Sequence, residues 1–168
     1  MKNRLSAIAL ACATLLPALM PASSHAQAIV RHKIPNSDFP IAQAVTLPAG
    51  TTIHFISGQV PPTVDKNADP NSLAAFGDTK TQTVGVLTKI QDILKGMGLT
   101  MGDVVKMQVF LVGDPAKGGK ADVAGFMAGY TQFFGGAQPN LPARAVVQVA
   151  ALSNPGWLVE IEVVAAKK

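Results

Sequence analysis

A chain of 168 residues, 48% of them hydrophobic and with a formal net charge of +4, is long enough for one domain with a proper core. Its cations are scattered, arginine occurs only at positions 4, 31 and 144, and no basic stripe is interleaved with aromatics, which argues against a nucleic-acid partner. The single cysteine, Cys12, lies in the N-terminal apolar run, so everything after that run is held by packing without disulfides and has no thiol chemistry.

Residues 1–26 read as a signal peptide. Lys2 and Arg4 make a positive start, Leu5 to Met20 is an apolar run broken by Pro17, and Ser24-His25-Ala26 offers small residues where a signal peptidase needs them. The expected location is therefore periplasmic or secreted, with no membrane association after cleavage. A retained anchor fits less well, because the run is short for a span of about 20 residues. Cys12 stands in the middle of the run rather than at its end, which disfavours a lipoprotein. Without Lys2 and Arg4 the charge falls to about +2 over about 140 residues, the size of one domain.

Residues 27–39 are mixed and polar and read as an extended lead-in to a domain spanning 40–168. Ile41 to Leu47 and Thr51 to Ile56 read as strands joined through Pro48-Ala49-Gly50, a hairpin signal. Ser57-Gly58-Gln59 ends the second strand, and Val64 to Ser72, rich in Asp, Asn, Lys and Pro, is a surface loop. Val84, Leu87, Ile90, Ile93, Leu94 and Met97 recur every three or four positions and form the buried stripe of a helix, with Thr83, Lys89, Asp92 and Lys95 largely off it. Gly96-Met97-Gly98 closes that helix. Asp103 to Val112 is a third strand. Ala121 to Phe134 is a second helix, with Val123, Phe126, Met127 and Tyr130 on its apolar side, and Gly135-Gly136 stops it. Leu141 to Leu152 and Trp157 to Val164 then flank Ser153-Asn154-Pro155-Gly156 and read as a closing hairpin.

The order β-β-α-β-α-β-β implies a single α+β domain with two helices packed on one face of a sheet. The strands are apolar on both alternations, so the other face is expected to be covered by subunit contact.

The closing strands hold the chain's chemistry. Glu160 and Glu162 are the only glutamates in the protein, and Arg144 opens the preceding strand. Burying a charge costs several kcal/mol unless it is paired or used. Side chains alternate along a strand, so Glu160 and Glu162 share one face, and Arg144 shares one with Val146 and Gln148. Pairing through the Ser153–Gly156 turn would bring the arginine and the glutamates to a common face or edge. Two readings follow. Arg144 and one glutamate form an ion pair that fixes the sheet or a subunit interface, or Arg144 holds a substrate carboxylate with its planar fork of donors while a glutamate does acid–base work. Ser57-Gly58 is either a plain turn or a place where backbone approaches a ligand. His32 and His54 have no Cys or carboxylate at ligand spacing, so no metal site is expected. Ser57 lacks a nucleophile elbow, and there is no phosphate loop or dinucleotide fingerprint.

Ser57-Gly58-Gln59-Val60-Pro61, the helix and strand from Thr81 to Leu111, Tyr130 to Phe134, and Pro142-Ala143-Arg144 with Val159-Glu160-Ile161-Glu162 occur in the order seen in the RidA family (the YjgF family, or reactive intermediate deaminases), which this chain resembles from about Pro40 to Ala165. The resemblance implies a chorismate-mutase-like α+β fold with a mixed sheet, and a homotrimer with ligand clefts between subunits. It also implies hydrolysis of 2-imino or enamine acids, such as 2-iminobutanoate and 2-iminopropanoate, to 2-oxo acids and ammonia without a cofactor. By position, Arg144 corresponds to the family's substrate-carboxylate arginine, Glu160 to the carboxylate that directs water, and Ser57 with Gly58 to the cleft-lining turn. Three cleft positions depart from the active deaminases: Ile41 replaces a tyrosine, Met127 an asparagine and Val146 a cysteine, which makes the cleft more apolar. Export departs from the family's best-known cytoplasmic role as well. A non-catalytic trimer that binds carboxylates or acts as a holdase is the alternative reading. Ribonuclease activity, also attached to this family, ranks last because the charge is low and the expected compartment holds little RNA.

Overall fold

The computed structural model describes residues 28–136 and 138–168, so the expected signal peptide lies outside the described residues. The elements run β1 (Val30–Lys33), β2 (Ala42–Thr46), β3 (Thr52–Gln59), α1 (Thr79–Gly96), β4 (Val104–Val112), α2 (Val123–Tyr130), β5 (Ala143–Val149) and β6 (Val159–Lys167), with short 3-10 turns between some of them. The strands form one mixed six-stranded sheet in the order β1-β2-β5-β4-β6-β3. Both helices pack on one face of it, an α+β architecture. The extended lead-in contains β1, which adds an antiparallel edge to β2.

Neither expected hairpin forms. β2 and β3 lie far apart in the strand order, and β4 separates β5 from β6. The reason lies in β4, where Val104, Met107, Val109 and Leu111 are all fully buried, the apolar commitment of a central strand. β4 runs parallel to β5 through the α2 crossover and antiparallel to β6. The Ser153–Gly156 turn does form, with the amide of Gly156 donating to Asn154 Oδ1 (2.7 Å) and that of Trp157 donating to the Asn154 carbonyl (3.1 Å). It sits inside a connection, 150–158, that is long enough to pass over β4. Local turn chemistry was satisfied without specifying the strand partner.

The helix-covered face holds the core. Val86, Leu87, Ile90 and Leu94 of α1 meet Met107, Val109, Leu111, Ile161 and Val163 of β4 and β6. The buried stripe of α1 is rotated from the expected one: Gln82, Thr83 and Val86 are buried, whereas Met97 is 45% exposed. Thr83 is inside because α2 approaches closely. A Cβ on Gly129 would meet the Thr83 side chain at 2.8 Å, and one on Gly125 would meet Thr79 Cβ at 3.3 Å, so two glycines one turn apart set the helix separation. The Thr83 hydroxyl donates back to the Thr79 carbonyl (2.7 Å), which removes the cost of burying it. Gln82 donates to the carbonyls of Gly77 and Gly156 and accepts from the Leu158 amide, fastening the start of α1 to the entry of β6.

The opposite face is open and curled. Val45 and Leu47 near β2 and Ile53 and Phe55 of β3, from distant places in the strand order, line one cavity of about 280 Å³ with Lys106 and Val164. Phe55 is 81% exposed on this face.

Candidate functional site

Arg144 leaves β5 toward the helices. Its register partner on β4 is the fully buried Met107, and Val146, next along the same face, lies opposite buried Val109. The guanidinium carbon stands 4.2 Å from the Tyr130 ring centroid, 5.1 Å from Phe126 and 5.5 Å from Phe39. Tyr130 and Phe126 lie one turn apart on α2 and are fully buried. Tyr130 stacks on Phe134 at 4.9 Å, and its hydroxyl donates to the Pro40 carbonyl (2.8 Å). The guanidinium lies over the Tyr130 ring.

Among the described residues, no anion answers this cation. Arg144 Nη2 contacts Met127 Sδ at 3.3 Å, a weak acceptor, while Nε and Nη1 are buried without any hydrogen-bond partner. Each unmade buried hydrogen bond costs about 1–3 kcal/mol, more for a charged group. The aromatic faces return about 0.5–2 kcal/mol apiece, which offsets part of that cost and supplies no counter-charge. Burial pushes the guanidinium below its ordinary pKa, opposed by nearby Tyr130. Burial pushes the Tyr130 phenol up to about 12, against the lowering effect of Arg144.

Glu160 lies on the other face. It sits opposite Phe110 of β4 in register and Glu162 sits opposite Gln108, while their neighbours Val159, Ile161 and Val163 are buried under the helices. The β3–β6 register breaks between Ile56 and Gln59, and this bulge brings Gly58 onto the Glu160 carboxylate. A Cβ at Gly58 would overlap Glu160 Oε1 and come within 3.0 Å of its Cδ. Only glycine permits this approach. Gln59 Nε2 donates to the Ser57 carbonyl (3.0 Å), and Lys89 of α1 donates to the Val60 carbonyl (2.9 Å), so the bulge is held from both sides. Ser57 is exposed and shares an open-face cavity of about 250 Å³ with Phe55, Lys106 and Glu162.

The residues singled out from the sequence thus fall into two groups. Arg144, Met127 and Val146 gather on the helix side, and Ser57, Gly58 and Glu160 gather on the open side. Ile41 lines a cleft of about 460 Å³ with Ile34, Pro35 and Lys106, and Arg144 borders that cleft. Val146 packs its side chain against the core. The expectation that Arg144 and the glutamates share a face or edge fails, because β4 intervenes and the register puts them on opposite faces. An intrachain ion pair between them fails with it. Phe39, Phe126 and Tyr130 were not legible as neighbours of Arg144, since nothing in the spacing of distant residues announces a cation–π contact. Among the described residues, no group of three or more His, Cys, Asp or Glu could hold a metal.

The sequence and the fold have counterparts among known proteins. A family model described as Endoribonuclease L-PSP matches residues 32–167. The chain belongs to the RidA family. A RutC family protein of Pyrococcus horikoshii is 33% identical over 84% of this chain and 98% of its own length. The 2-iminobutanoate/2-iminopropanoate deaminase of Salmonella typhimurium is 31% identical over 83% of this chain and 97% of its own. Among solved structures of the RidA fold, Escherichia coli TdcF with bound serine aligns at a TM-score of 0.55 and 30% identity, covering 84% of this chain and 99% of that one.

Proposed function

We propose that this RidA-family protein hydrolyses reactive 2-imino and enamine acids to 2-oxo acids and ammonia. The observation that carries the proposal is Arg144, a largely buried guanidinium with two unpaired donors and no carboxylate partner among the described residues. A substrate α-carboxylate supplies the missing charge and a bidentate geometry that only arginine matches. With the substrate so held, Glu160 directs a water onto the C=N carbon and takes its proton. That proton passes to the nitrogen to give the carbinolamine; Glu160 then moves the hydroxyl proton to the amino group, the C–N bond breaks, ammonia leaves and the 2-oxo acid remains. The name of the Salmonella relative and the serine in the TdcF structure, a small α-carboxylate ligand, support this class of substrate.

Arg144 and Glu160 lie on opposite faces, so one chain does not hold a complete site. In this reading the site is completed between copies of a homotrimer, with Arg144 from one subunit and Glu160 from another; the exposed apolar residues of the open face, Phe55 and Ile53 among them, favour such an assembly. The N-terminal signal pattern supports a reaction in the cell envelope. The direct test generates 2-iminopropanoate in situ with an amino-acid oxidase and follows its decay. Wild type accelerates the decay and Arg144→Ala does not. If Arg144→Ala matched wild type in both rate and 2-oxo acid binding, the site assignment would be wrong. Binding of a 2-oxo acid without any acceleration would favour the non-catalytic carboxylate binder.

A further inference from the structure

Three aromatic rings surround the Arg144 guanidinium, and one of them differs from the other two. Phe126 and Tyr130 are fully buried in the core and cannot move without disrupting it. Phe39 is 47% exposed, lies outside the core cluster and belongs to the connection between β1 and β2. The backbone beside it is anchored: the Pro40 carbonyl accepts from Tyr130 Oη (2.8 Å) and the Ile41 amide donates to the Phe39 carbonyl (2.8 Å). Rotation about the Phe39 Cα–Cβ bond breaks no hydrogen bond. Its ring centroid nevertheless stands 5.5 Å from the guanidinium carbon, whose neighbours Nε and Nη1 are buried and unpaired. A carboxylate that takes the place of this ring meets the guanidinium beside the two core aromatics.

The surroundings of that approach are apolar. Val123, 50% exposed, lies four residues before Met127 on α2, so the two share a helix face, and Met127 Sδ touches Nη2. A ligand anchored at Arg144 from this side meets Phe39 and Met127, neither of them charged. Burying apolar substituent surface there favours binding in proportion to the area buried, whereas a methyl group offers little to bury.

Building on the assignment of Arg144 as the carboxylate anchor, we propose that Phe39 is the movable wall of this site and its specificity-determining residue, selecting 2-imino and 2-oxo acids with aromatic or branched apolar side chains over the smallest ones. In the free protein Phe39 occupies the guanidinium face. A small ligand must displace it without compensation, whereas a large apolar ligand regains contact with the displaced ring.

The test is calorimetric titration of wild type, Phe39→Ala and Arg144→Ala with pyruvate and with phenylpyruvate. Wild type is expected to bind phenylpyruvate at least about tenfold more tightly than pyruvate, and Phe39→Ala to shrink that preference at least about fivefold, with pyruvate binding tightened because the closed state is gone. Phe39 is outside the core, so the variant should keep the wild-type melting midpoint, which circular dichroism checks. An unchanged preference in Phe39→Ala, or no preference in wild type, overturns the proposal while loss of both ligands in Arg144→Ala leaves the anchor standing. Undiminished binding by Arg144→Ala removes the anchor and this proposal with it.

Discussion

The two charged centres of this molecule are built on opposite physical plans. On the helix face, Arg144 is largely buried, walled by aromatics and without an anion among the described residues. On the open face, Glu160 and Glu162 stand two residues apart with no cation bonded to either among the described residues, and Glu160 is held against a glycine. A cation that is expensive to keep unpaired and carboxylates held ready on the reverse of the same sheet are complementary, yet one chain cannot bring them together. The difference shows which half costs stability. The buried guanidinium is the strained half, and the glutamate half is a matter of placement.

The largest effects should come from the arginine. Arg144→Ala is expected to lower kcat/KM by at least about a thousandfold, by analogy with losing a charge-stabilising group from a water-excluded site, and Arg144→Lys should not restore it, because a lysine lacks the planar fork. Arg144→Met, which keeps the packing and removes the charge, should show a melting midpoint equal to or above wild type; a fall of several degrees would mean that the guanidinium is better paired than its geometry implies.

Next in size is the carboxylate. Glu160→Gln should cost about 10² to 10⁴ in kcat with binding of 2-oxo acids preserved, the mark of a group used in proton transfer. Glu162→Gln should cost far less, and equal losses for both would erase the division between them. Gly58→Ala must push the Glu160 carboxylate aside and is expected to lower kcat by about a hundredfold, as a shift near 1 Å can, with little change in ligand affinity at Arg144. A parallel loss of affinity would tie the two centres more closely than the opposite faces of the sheet allow.

How far this was legible from the sequence follows the same division. Periodicity located both helices and every described strand except β1, and rarity singled out Arg144 and Glu160, since three arginines and two glutamates in an apolar chain are conspicuous. Pairing was not legible. A turn such as Ser153–Gly156 reports where the chain bends, while the neighbour of a strand is decided by which run is apolar enough to take the centre, here β4. Thr83 was misplaced off the buried stripe because Gly129, on another helix, is what draws it inside. The aromatic walls of Arg144 combine positions 39, 126 and 130, and only the crossover between β4 and β5 brings them to one place.

The smallest effects concern Tyr130, the only tyrosine in the chain, whose titration can be read by phenolate absorbance without interference from another. It should ionise near about 12 rather than 10. A raised folded pKa means that the folded state holds the proton more tightly, so the associated stability is present below pH 10 and lost as pH rises toward 12; the loss is on the order of 2 kcal/mol. Tyr130→Phe should flatten that alkaline loss and cost about 1 kcal/mol at neutral pH through the bond to Pro40. Ionisation at the ordinary value would contradict the dry packing around Arg144.

The central claim, that Arg144 and Glu160 act together only across copies of the chain, is tested most directly by mixing two inactive variants. Arg144→Ala and Glu160→Gln chains, co-refolded in equal amounts, form some interfaces in which an intact Arg144 faces an intact Glu160. Random assembly then predicts recovery of about a quarter of wild-type imine hydrolysis from two preparations that are each inactive. No recovery, with mixed assemblies shown to have formed, would contradict a site shared between subunits.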